Sequence, residues 1–250
     1  MAADALYDRI GQSYTATRHP DPRIAAAILN ALGDARSVLN VGAGAGAYEP
    51  AGRSVVAVEP SARMIRQRAS GMSPAVQASA EALPFTTKTF DAALAVLTLH
   101  HWSEWRSGLS EMRRVANRLV VFTFEPAEVA GFWLTETYFP EIVALERGRC
   151  PSVAEIAREL GPCRVEHVAV PHDCADGFQA AYWCRPDAYL DPGVRAGISA
   201  LAQLDRDVIS RGVARLASDL DSGAWEQRFG HLRSLDALDA GYRILVADRG

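Results

Sequence analysis

Residues 38–49, which read VLNVGAGAGAYE, decide the fold of this chain. Three apolar residues with an asparagine among them run directly into six residues that are all glycine or alanine. Gly42, Gly44 and Gly46 alternate at the point where a buried strand would end. Glycine lets the backbone turn tightly and lets another group approach it closely, and backbone N–H groups at such a turn can face a ligand. The stretch therefore predicts a strand, a turn against a ligand and a following helix.

Apolar segments of strand length alternate with helical patterns outward from this turn. Strands are predicted at 37–41, 54–59, 75–78, 90–97, 119–124, 164–170 and 242–247. Helices are predicted between them at 61–69 and 103–117. Because the strands of the first half are apolar on both faces, this alternation indicates a parallel sheet covered by helices on both sides.

Helical patterns also flank this core. Further helices are predicted at 5–18, 22–32, 128–145 and 152–160, and one or two more over 192–220. Asp21 and Pro22 supply an N-cap and a first-turn proline to the second of these helices. Because 171–240 separates two predicted strands and contains an amphipathic pattern, we interpret it as a helical insertion beside the sheet.

The composition limits the size of the fold and the class of partner. The chain has 250 residues, of which 49% are hydrophobic and 22% charged, so we expect one large domain or a domain with a sizeable insertion. Its net charge of −4 provides no basic field for nucleic acid or an anionic membrane. We therefore expect a small-molecule substrate, with neither nucleic acid nor membrane as a partner.

Cysteine spacing and the N-terminal sequence bear on metals and location. The four cysteines, at 150, 163, 174 and 184, are spaced too irregularly for a metal or redox motif. The first residues, MAADALYDRIG, lack the basic and apolar regions of a signal peptide, and no apolar run reaches the length of a membrane span. We expect a soluble cytoplasmic monomer or homodimer without a metal site.

Glu59 ends the second predicted strand, in the stretch VVAVEPS. A carboxylate at that position can accept hydrogen bonds from both hydroxyls of a ribose. This feature favours a nucleoside ligand, although the glycine turn also satisfies the dinucleotide pattern through Ala47. Two other interpretations of the glycine turn therefore stay open: a binding site for a nicotinamide dinucleotide, and a tight turn with a purely structural role.

Five motifs in order carry a family resemblance: VLNVGAGAGAYE, AVEPSARM, ASAEALPF, FDAALAVL and TLHHW. Over about residues 36–125 they resemble class I S-adenosylmethionine-dependent methyltransferases, and YDRIGQSYTATR adds a short N-terminal match. The most similar group, methyltransferase type 11, includes ubiquinone- and menaquinone-biosynthesis enzymes and many natural-product methyltransferases. The resemblance implies S-adenosyl-L-methionine as cofactor and a Rossmann-like, seven-stranded, mostly parallel sheet with helices on both faces.

The resemblance also implies a division of the chain. We expect N-terminal lid helices at 1–33 and a cofactor-binding core at 34–126. The C-terminal part, 127–250, would complete the core and carry helical acceptor-binding insertions at about 128–145 and 171–240.

The resemblance also implies which residues contact the cofactor, at the positions that match the family's motifs. The implied residues are Tyr14, Arg18, Asn40, Gly42, Ala43, Gly44, Glu59, Pro60, Met64, Ser79, Ala80, Glu81, Leu97 and Thr98. The glycine turn would pack against the methionine part, Glu59 would bind the ribose, and Met64 would pack on the adenine face. Tyr14 and Arg18 would close over the cofactor, with Arg18 as the partner of its carboxylate.

Two residues depart from the family pattern. Asn40 stands where an aspartate is frequent, which removes a negative charge near the cofactor's amino group, although asparagine still accepts a hydrogen bond. Ser79 stands where an acidic or amide residue often reads the adenine edge, which leaves more of that task to backbone atoms.

His100 and His101 follow the fourth predicted strand and are the best-placed titratable groups. Either could act as a general base if the acceptor atom must lose a proton; the alternative is that they only shape the pocket floor. An acceptor site rich in aromatic residues is predicted from Phe132, Trp133, Tyr138, Phe139, Tyr182, Trp183 and Tyr189. The alternative for these rings is the core of the insertion.

The sequence is compatible with three functions. The first is methyl transfer to an oxygen, nitrogen or carbon atom of a small molecule, such as a secondary metabolite. The second is a nicotinamide-dependent oxidoreductase, against which no YxxxK-like pair accompanies the turn. The third is a non-catalytic protein that binds S-adenosylmethionine for regulation.

Overall fold

Residues 18–248 are described by a computed structural model of the chain. Within them the β-strands are Ser37–Val41 (β1), Ser54–Val58 (β2), Ala75–Val76 (β3), Phe90–Val96 (β4), Ala116–Phe124 (β5), Arg164–His167 (β6), Val170–Pro171 (β7), Ala237–Leu238 (β8) and Tyr242–Asp248 (β9). The α-helices are Pro22–Leu32 (α1), Ala62–Arg66 (α2), Trp105–Val115 (α3), Pro126–Gly131 (α4), Trp133–Tyr138 (α5), Glu141–Glu146 (α6), Val153–Leu160 (α7), Pro192–Gly197 (α8), Ser199–Ala202 (α9), Arg206–Asp221 (α10) and Ala224–Phe229 (α11).

Seven strands in this part of the chain form one sheet in the order β3–β2–β1–β4–β5–β9–β6. Neighbouring strands from β3 to β5 run parallel, whereas β9 runs antiparallel to both β5 and β6. The predicted Rossmann-like, mostly parallel sheet is therefore confirmed. Because β1 lies between β2 and β4, the strand order reverses there, and ligands of open α/β sheets bind at such a reversal.

Helices cover both faces of the sheet, as the strand pattern predicted. Val38 and Leu39 are adjacent on β1 and both are fully buried, but they belong to two separate apolar clusters. Successive strand residues point to opposite faces, so each strand contributes to both clusters. One cluster contains α1 and most of the insertion, and the other contains α3 and α7.

The start of α1 follows its sequence signals. Asp21 caps the helix by accepting a hydrogen bond from the N–H of Arg23, Pro22 occupies the first turn, and Gly33 ends the helix with a φ of 59°. Gly33 thus adopts a conformation that a side chain would strain. The helix predicted over 5–18 lies outside the described residues, apart from its last position.

Three helical predictions were too long. The 128–145 segment divides into α4, α5 and α6, because Phe132 has an extended backbone (φ −63°, ψ 132°) and Pro140 precedes α6. The 192–220 segment likewise divides into α8, α9 and α10, since Ile198 is extended. The helix predicted at 61–69 is shorter, because α2 ends at Arg66.

The insertion is closed at its base by a short antiparallel pair of strands that sequence analysis did not predict. Val170 pairs with Leu238 and Pro171 with Ala237, so β7 and β8 hold the two ends of the insertion together. The strand predicted over 164–170 is divided in the structure. Its first part is β6 of the large sheet, whereas Val170 belongs to β7 and pairs with β8. None of the helices in the described range 18–248 is long and apolar enough to cross a membrane.

Candidate active site

A cavity of about 890 Å³, here called the large cavity, lies beyond the carboxyl ends of β1, β2 and β4. Its volume is within the usual range for small-molecule sites. Thirteen of the fourteen residues implied as cofactor contacts line this cavity: Arg18, Asn40, Gly42, Ala43, Gly44, Glu59, Pro60, Met64, Ser79, Ala80, Glu81, Leu97 and Thr98. Tyr14 lies outside the described residues. His101 also lines the large cavity, whereas His100 lines a smaller neighbour.

The glycine turn is shaped by close packing as well as by its backbone conformation. Gly42 has a φ of 69°, and a Cβ atom there would lie 2.1 Å from the Thr98 hydroxyl oxygen. Gly44 has a φ of 54° and lines the large cavity. The N–H groups of Gly42 and Ala43 both donate to the carbonyl of Val58 at the end of β2. A side chain at Gly42 would therefore collide with the wall contributed by β4.

Glu59 holds the turn to the end of β2. Its Oε2 atom accepts a hydrogen bond from the N–H of Gly44 at 2.8 Å, and its Oε1 atom accepts one from the N–H of Ser61 at 2.9 Å. The side chain is buried but lines the large cavity. A carboxylate oxygen can accept more than one hydrogen bond, so a carboxylate at this position suits a ligand that carries hydroxyl groups.

The departure at Asn40 has a structural explanation. Asn40 is buried and its Nδ2 atom donates to Oε1 of Glu49 at 3.4 Å, while Arg68 donates to the same oxygen at 2.6 Å. An aspartate at position 40 would place a second carboxylate beside Glu49, and two adjacent buried carboxylates repel. Sequence analysis missed Glu49 because nothing in its local pattern distinguishes it.

The end of β4 forms the floor of the large cavity. Leu97 has a φ of 48°, which is uncommon for a residue with a side chain, and its N–H donates to the carbonyl of Phe122 at 2.8 Å. Such strained positions concentrate at functional sites. The Thr98 hydroxyl accepts a hydrogen bond from the indole N–H of Trp102 at 3.2 Å, and Trp102 joins the cavity wall.

Glu81 is anchored at the other side of the cavity. Its carboxylate accepts hydrogen bonds from the Ser103 hydroxyl at 3.0 Å and from the N–H of Glu104 at 3.2 Å. Burial opposes ionisation of Glu81, but these hydrogen bonds outweigh it and lower the pKa. The segment 79–81 therefore lines the cavity and holds a fixed carboxylate.

His100 and His101 follow β4, and their rings lie side by side with centroids 3.8 Å apart and planes tilted by 51°. Burial, together with the positive charges of Arg149 and Arg18, lowers the pKa of His100 to about 3. Burial also lowers the pKa of His101 well below its usual value. Within the described residues, the Nδ1 atom of His100 is buried without a hydrogen-bond partner. Both rings are neutral near pH 7.

A second cavity of about 40 Å³, here called the small cavity, adjoins the large cavity and shares Leu97 and Arg18 with it. The small cavity is lined by both of these residues and by His100, Phe124, Val129, Glu146, Phe178, Gln179, Gly197, Ile198, Ser199, Ala200 and Tyr242. Its wall combines the end of the sheet with both predicted insertions.

Arg18 is held in place by Asp176. The Nε and Nη2 atoms of Arg18 donate to the two carboxylate oxygens of Asp176 at 2.7 and 3.1 Å. Asp176 is fully buried, and it also accepts a hydrogen bond from the Tyr48 hydroxyl at 2.9 Å. Sequence analysis missed Asp176 because Arg18 and Asp176 are 158 positions apart. Arg18, held by this ion pair, lines both cavities.

Six of the seven aromatic residues considered for an acceptor site lie in the core, and Tyr182 is partly buried against it, so the structure favours the alternative that they form the core of the insertion. Trp133 is buried with its ring centroid 5.6 Å from that of Tyr189 and 5.4 Å from that of Trp225, in edge-to-face arrangements. Trp183 and Phe139 are also fully buried. None of the seven predicted aromatic residues lines the large or the small cavity. Burying these rings against each other stabilises the insertion.

The chain is similar to known methyltransferases in both sequence and structure. Residues 39–122 match the sequence profile of a family described as a methyltransferase domain. A solved structure from Anabaena variabilis, described as a methyltransferase from an antibiotic biosynthesis pathway, is 32% identical to this chain. The alignment covers 92% of this chain and 98% of the other, with a TM-score of 0.85. No curated protein sequence gives a significant match.

Two more distant structures share the fold. An S-adenosylmethionine-dependent methyltransferase from Thermotoga maritima is 14% identical over 98% of this chain and 94% of its own, with a TM-score of 0.52. A phosphoethanolamine N-methyltransferase from Haemonchus contortus, in complex with phosphomonomethylethanolamine and S-adenosylhomocysteine, is 16% identical. That alignment covers 98% of this chain and 56% of the other, with a TM-score of 0.54.

Proposed function

Because this chain belongs to the class I S-adenosylmethionine-dependent methyltransferases, we propose that it methylates an oxygen, nitrogen or carbon atom of a small molecule of secondary metabolism. Its cofactor is S-adenosylmethionine. When bound, that cofactor supplies a methyl group on a sulfonium sulfur, which is already activated for attack by a nucleophile. The family membership excludes the nicotinamide-dependent alternative.

The observation that carries the proposal is the placement of Glu59 beside the bare backbone of Gly44. The pair lines the large cavity, and two backbone N–H groups fix the direction of the carboxylate by donating hydrogen bonds to it. This arrangement fits the ribose of an adenosyl group beside its amino-acid tail. The chemistry of the donor set and the volume of the cavity both suit S-adenosylmethionine.

Further residues have roles that suit the same ligand. Met64 is buried on α2 and lines the large cavity, where its thioether would pack on the adenine face. Arg18 would bind the carboxylate of the cofactor, since Asp176 fixes the direction of its guanidinium. Leu97 and Thr98 would form the floor beneath the reacting group.

The low pKa of His100 argues against the general-base role predicted for the two histidines. A base is most effective when its pKa lies near the working pH, and the pKa of His100 is about 3. We propose instead that the neutral His100 ring orients the acceptor by a hydrogen bond. The nearby wall of Leu97 and Arg18 would hold that acceptor in line with the methyl group.

The small-molecule acceptor and the secondary-metabolic role are supported by the antibiotic-pathway description of the Anabaena variabilis structure. The test is incubation of the protein with methyl-labelled cofactor and an extract of its host, followed by separation of products by mass. We expect label in a compound of low mass, and none with Glu59→Ala. Label only in protein or nucleic acid, or none at all, would contradict the proposal.

A further inference from the structure

A third cavity, here called the apolar cavity, adjoins the small one and has a volume of about 290 Å³. It is lined by Phe124, Pro126, Ala127, Val129, Ala130, Thr135, Ile142, Val143, Glu146, Arg147, Gly148 and Cys150. Most of these residues come from α4, α6 and the end of β5. An apolar protein cavity of about 150 Å³ binds benzene, so the apolar cavity has space for about two fused rings.

The apolar and small cavities adjoin each other, because the same three residues line both. Phe124, Val129 and Glu146 line both of them. The small cavity in turn shares Leu97 and Arg18 with the large one. The three spaces therefore form a row from the cofactor site into the region between α4 and α6.

The small cavity has space for one polar group. A water molecule takes up about 30 Å³ in the liquid, so about 40 Å³ accommodates a hydroxyl or an amino group but no ring. His100 contributes a buried Nδ1 atom without a partner among the described residues. A buried polar atom without a partner is unfavourable, and a hydrogen bond from a ligand would remove that cost.

Glu146 determines which polar group is suitable. Its Oε2 atom accepts a hydrogen bond from the Cys150 thiol at 2.6 Å, and no ion pair to its carboxylate is found within residues 18–248. Three positive charges lie near this region: Arg18 is bonded to Asp176, Arg149 is bonded to Gln203, and Arg147 lines the apolar cavity beside Glu146. A carboxylate only accepts hydrogen bonds, so it favours a donor and repels an anion.

We propose, building on the methyltransferase function above, that the acceptor places a hydroxyl or amino group in the small cavity and an apolar body of one or two rings in the apolar cavity. The oxygen or nitrogen of this head group is the methylated atom. It forms its bond to the methyl carbon while the carbon–sulfur bond breaks and leaves its electron pair on sulfur. The proton of the head group passes to water.

The experiment uses three compounds of one shape: 2-naphthol, 2-aminonaphthalene and 2-methylnaphthalene. Each is titrated, by naphthalene fluorescence, into the full-length protein saturated with S-adenosylhomocysteine. We expect the two hydrogen-bond donors to bind about tenfold more tightly than the methyl compound. Equal affinities for all three compounds, or no binding up to their solubility limits, would overturn the inference.

Two cavity variants locate the body of the ligand. Ala130→Phe fills the apolar cavity, whereas Ala144→Phe adds the same ring to an exposed position of α6 outside it. We expect Ala130→Phe to weaken the binding of all three compounds about tenfold, and Ala144→Phe to leave it unchanged. Equal effects of the two variants would overturn the inference.

Two variants of Glu146 test the choice of head group. Glu146→Leu should lower the affinity for the two donors and leave that for 2-methylnaphthalene unchanged, while Glu146→Gln, which still accepts a hydrogen bond, should retain donor binding. A uniform loss over the three compounds would indicate a structural role only and would contradict the proposal. Binding of S-adenosylhomocysteine is measured in each variant: its absence in the wild type refutes the proposed function, whereas its retention with a failed probe test refutes only this inference.

Discussion

The Oε2 atom of Glu59 accepts a hydrogen bond from the N–H of Gly44 at 2.8 Å, so the end of β2 is fastened to the turn that follows β1. The same carboxylate faces the large cavity. One residue therefore fixes the shape of the turn and offers acceptor atoms to the ligand. Substitutions at and around this pair give the first predictions.

Glu59→Gln should weaken S-adenosylhomocysteine binding about tenfold to a hundredfold. The amide has one acceptor oxygen, so it loses hydrogen bonds of the charged type. Isothermal titration calorimetry measures the effect. Glu159→Gln, a change of the same kind at a half-exposed position outside the cavity, should bind as the wild type does. Equal affinity of the two variants would show that Glu59 does not contact the ligand.

Gly42→Ala should destabilise the protein more than Gly52→Ala. Both glycines have a positive φ, which costs a residue with a side chain about 1–2 kcal/mol. At Gly52 nothing lies within 4 Å of the added Cβ atom, whereas at Gly42 it would lie 2.1 Å from Thr98. Urea unfolding should show a further loss of about 1–3 kcal/mol for Gly42→Ala. Equal losses would mean that Thr98 moves aside freely.

Asp176→Asn should lower the free energy of unfolding by about 3–5 kcal/mol, since it leaves Arg18 without its buried anionic partner. Asp173→Asn breaks the exposed pair with Arg23 and should cost at most about 1 kcal/mol. Urea unfolding of the two variants compares them directly. Similar small losses would show that the Arg18–Asp176 pair does not hold the N-terminal segment to the insertion.

Stability should fall as the pH decreases from about 6.5 towards 3. In this range an unfolded histidine binds a proton, whereas buried His100, with a pKa of about 3, does not. The unfolded chain therefore binds more protons, and stability rises with pH by up to about 1.4 kcal/mol per unit from His100. His100→Phe should reduce this slope, and His231→Phe, at an exposed site, should serve as the control. An unchanged slope in His100→Phe would show that His100 is protonated in the folded protein.

The sequence was sufficient to predict features whose signals are local. The strand before Gly42, the position of Glu59 at the end of β2 and the cap at Asp21 all depend on neighbouring residues, and each lies where it was expected. The cofactor contacts themselves stay predictions, although the large cavity brings the described ones together.

Features that depend on distant parts of the chain were missed or wrong. The ion pair of Arg18 and Asp176 joins residues that are 158 positions apart in the chain and leaves no periodic pattern in the sequence. For Trp133 and Tyr189 the sequence left open an acceptor site or the core of the insertion, because composition alone does not distinguish a ring that packs in the core from one that lines a cavity; the structure places both in the core. The helical periodicity continues through Phe132 and Ile198, whose extended backbone interrupts the helices, so the local pattern did not predict these breaks.

The most direct measurement is a crystal structure of the protein with S-adenosylhomocysteine. The adenosyl group should occupy the large cavity, with the ribose hydroxyls within hydrogen-bond distance of Glu59 and the amino-acid tail against Gly44. Density for the ligand at another site, with the large cavity empty, would contradict the assignment.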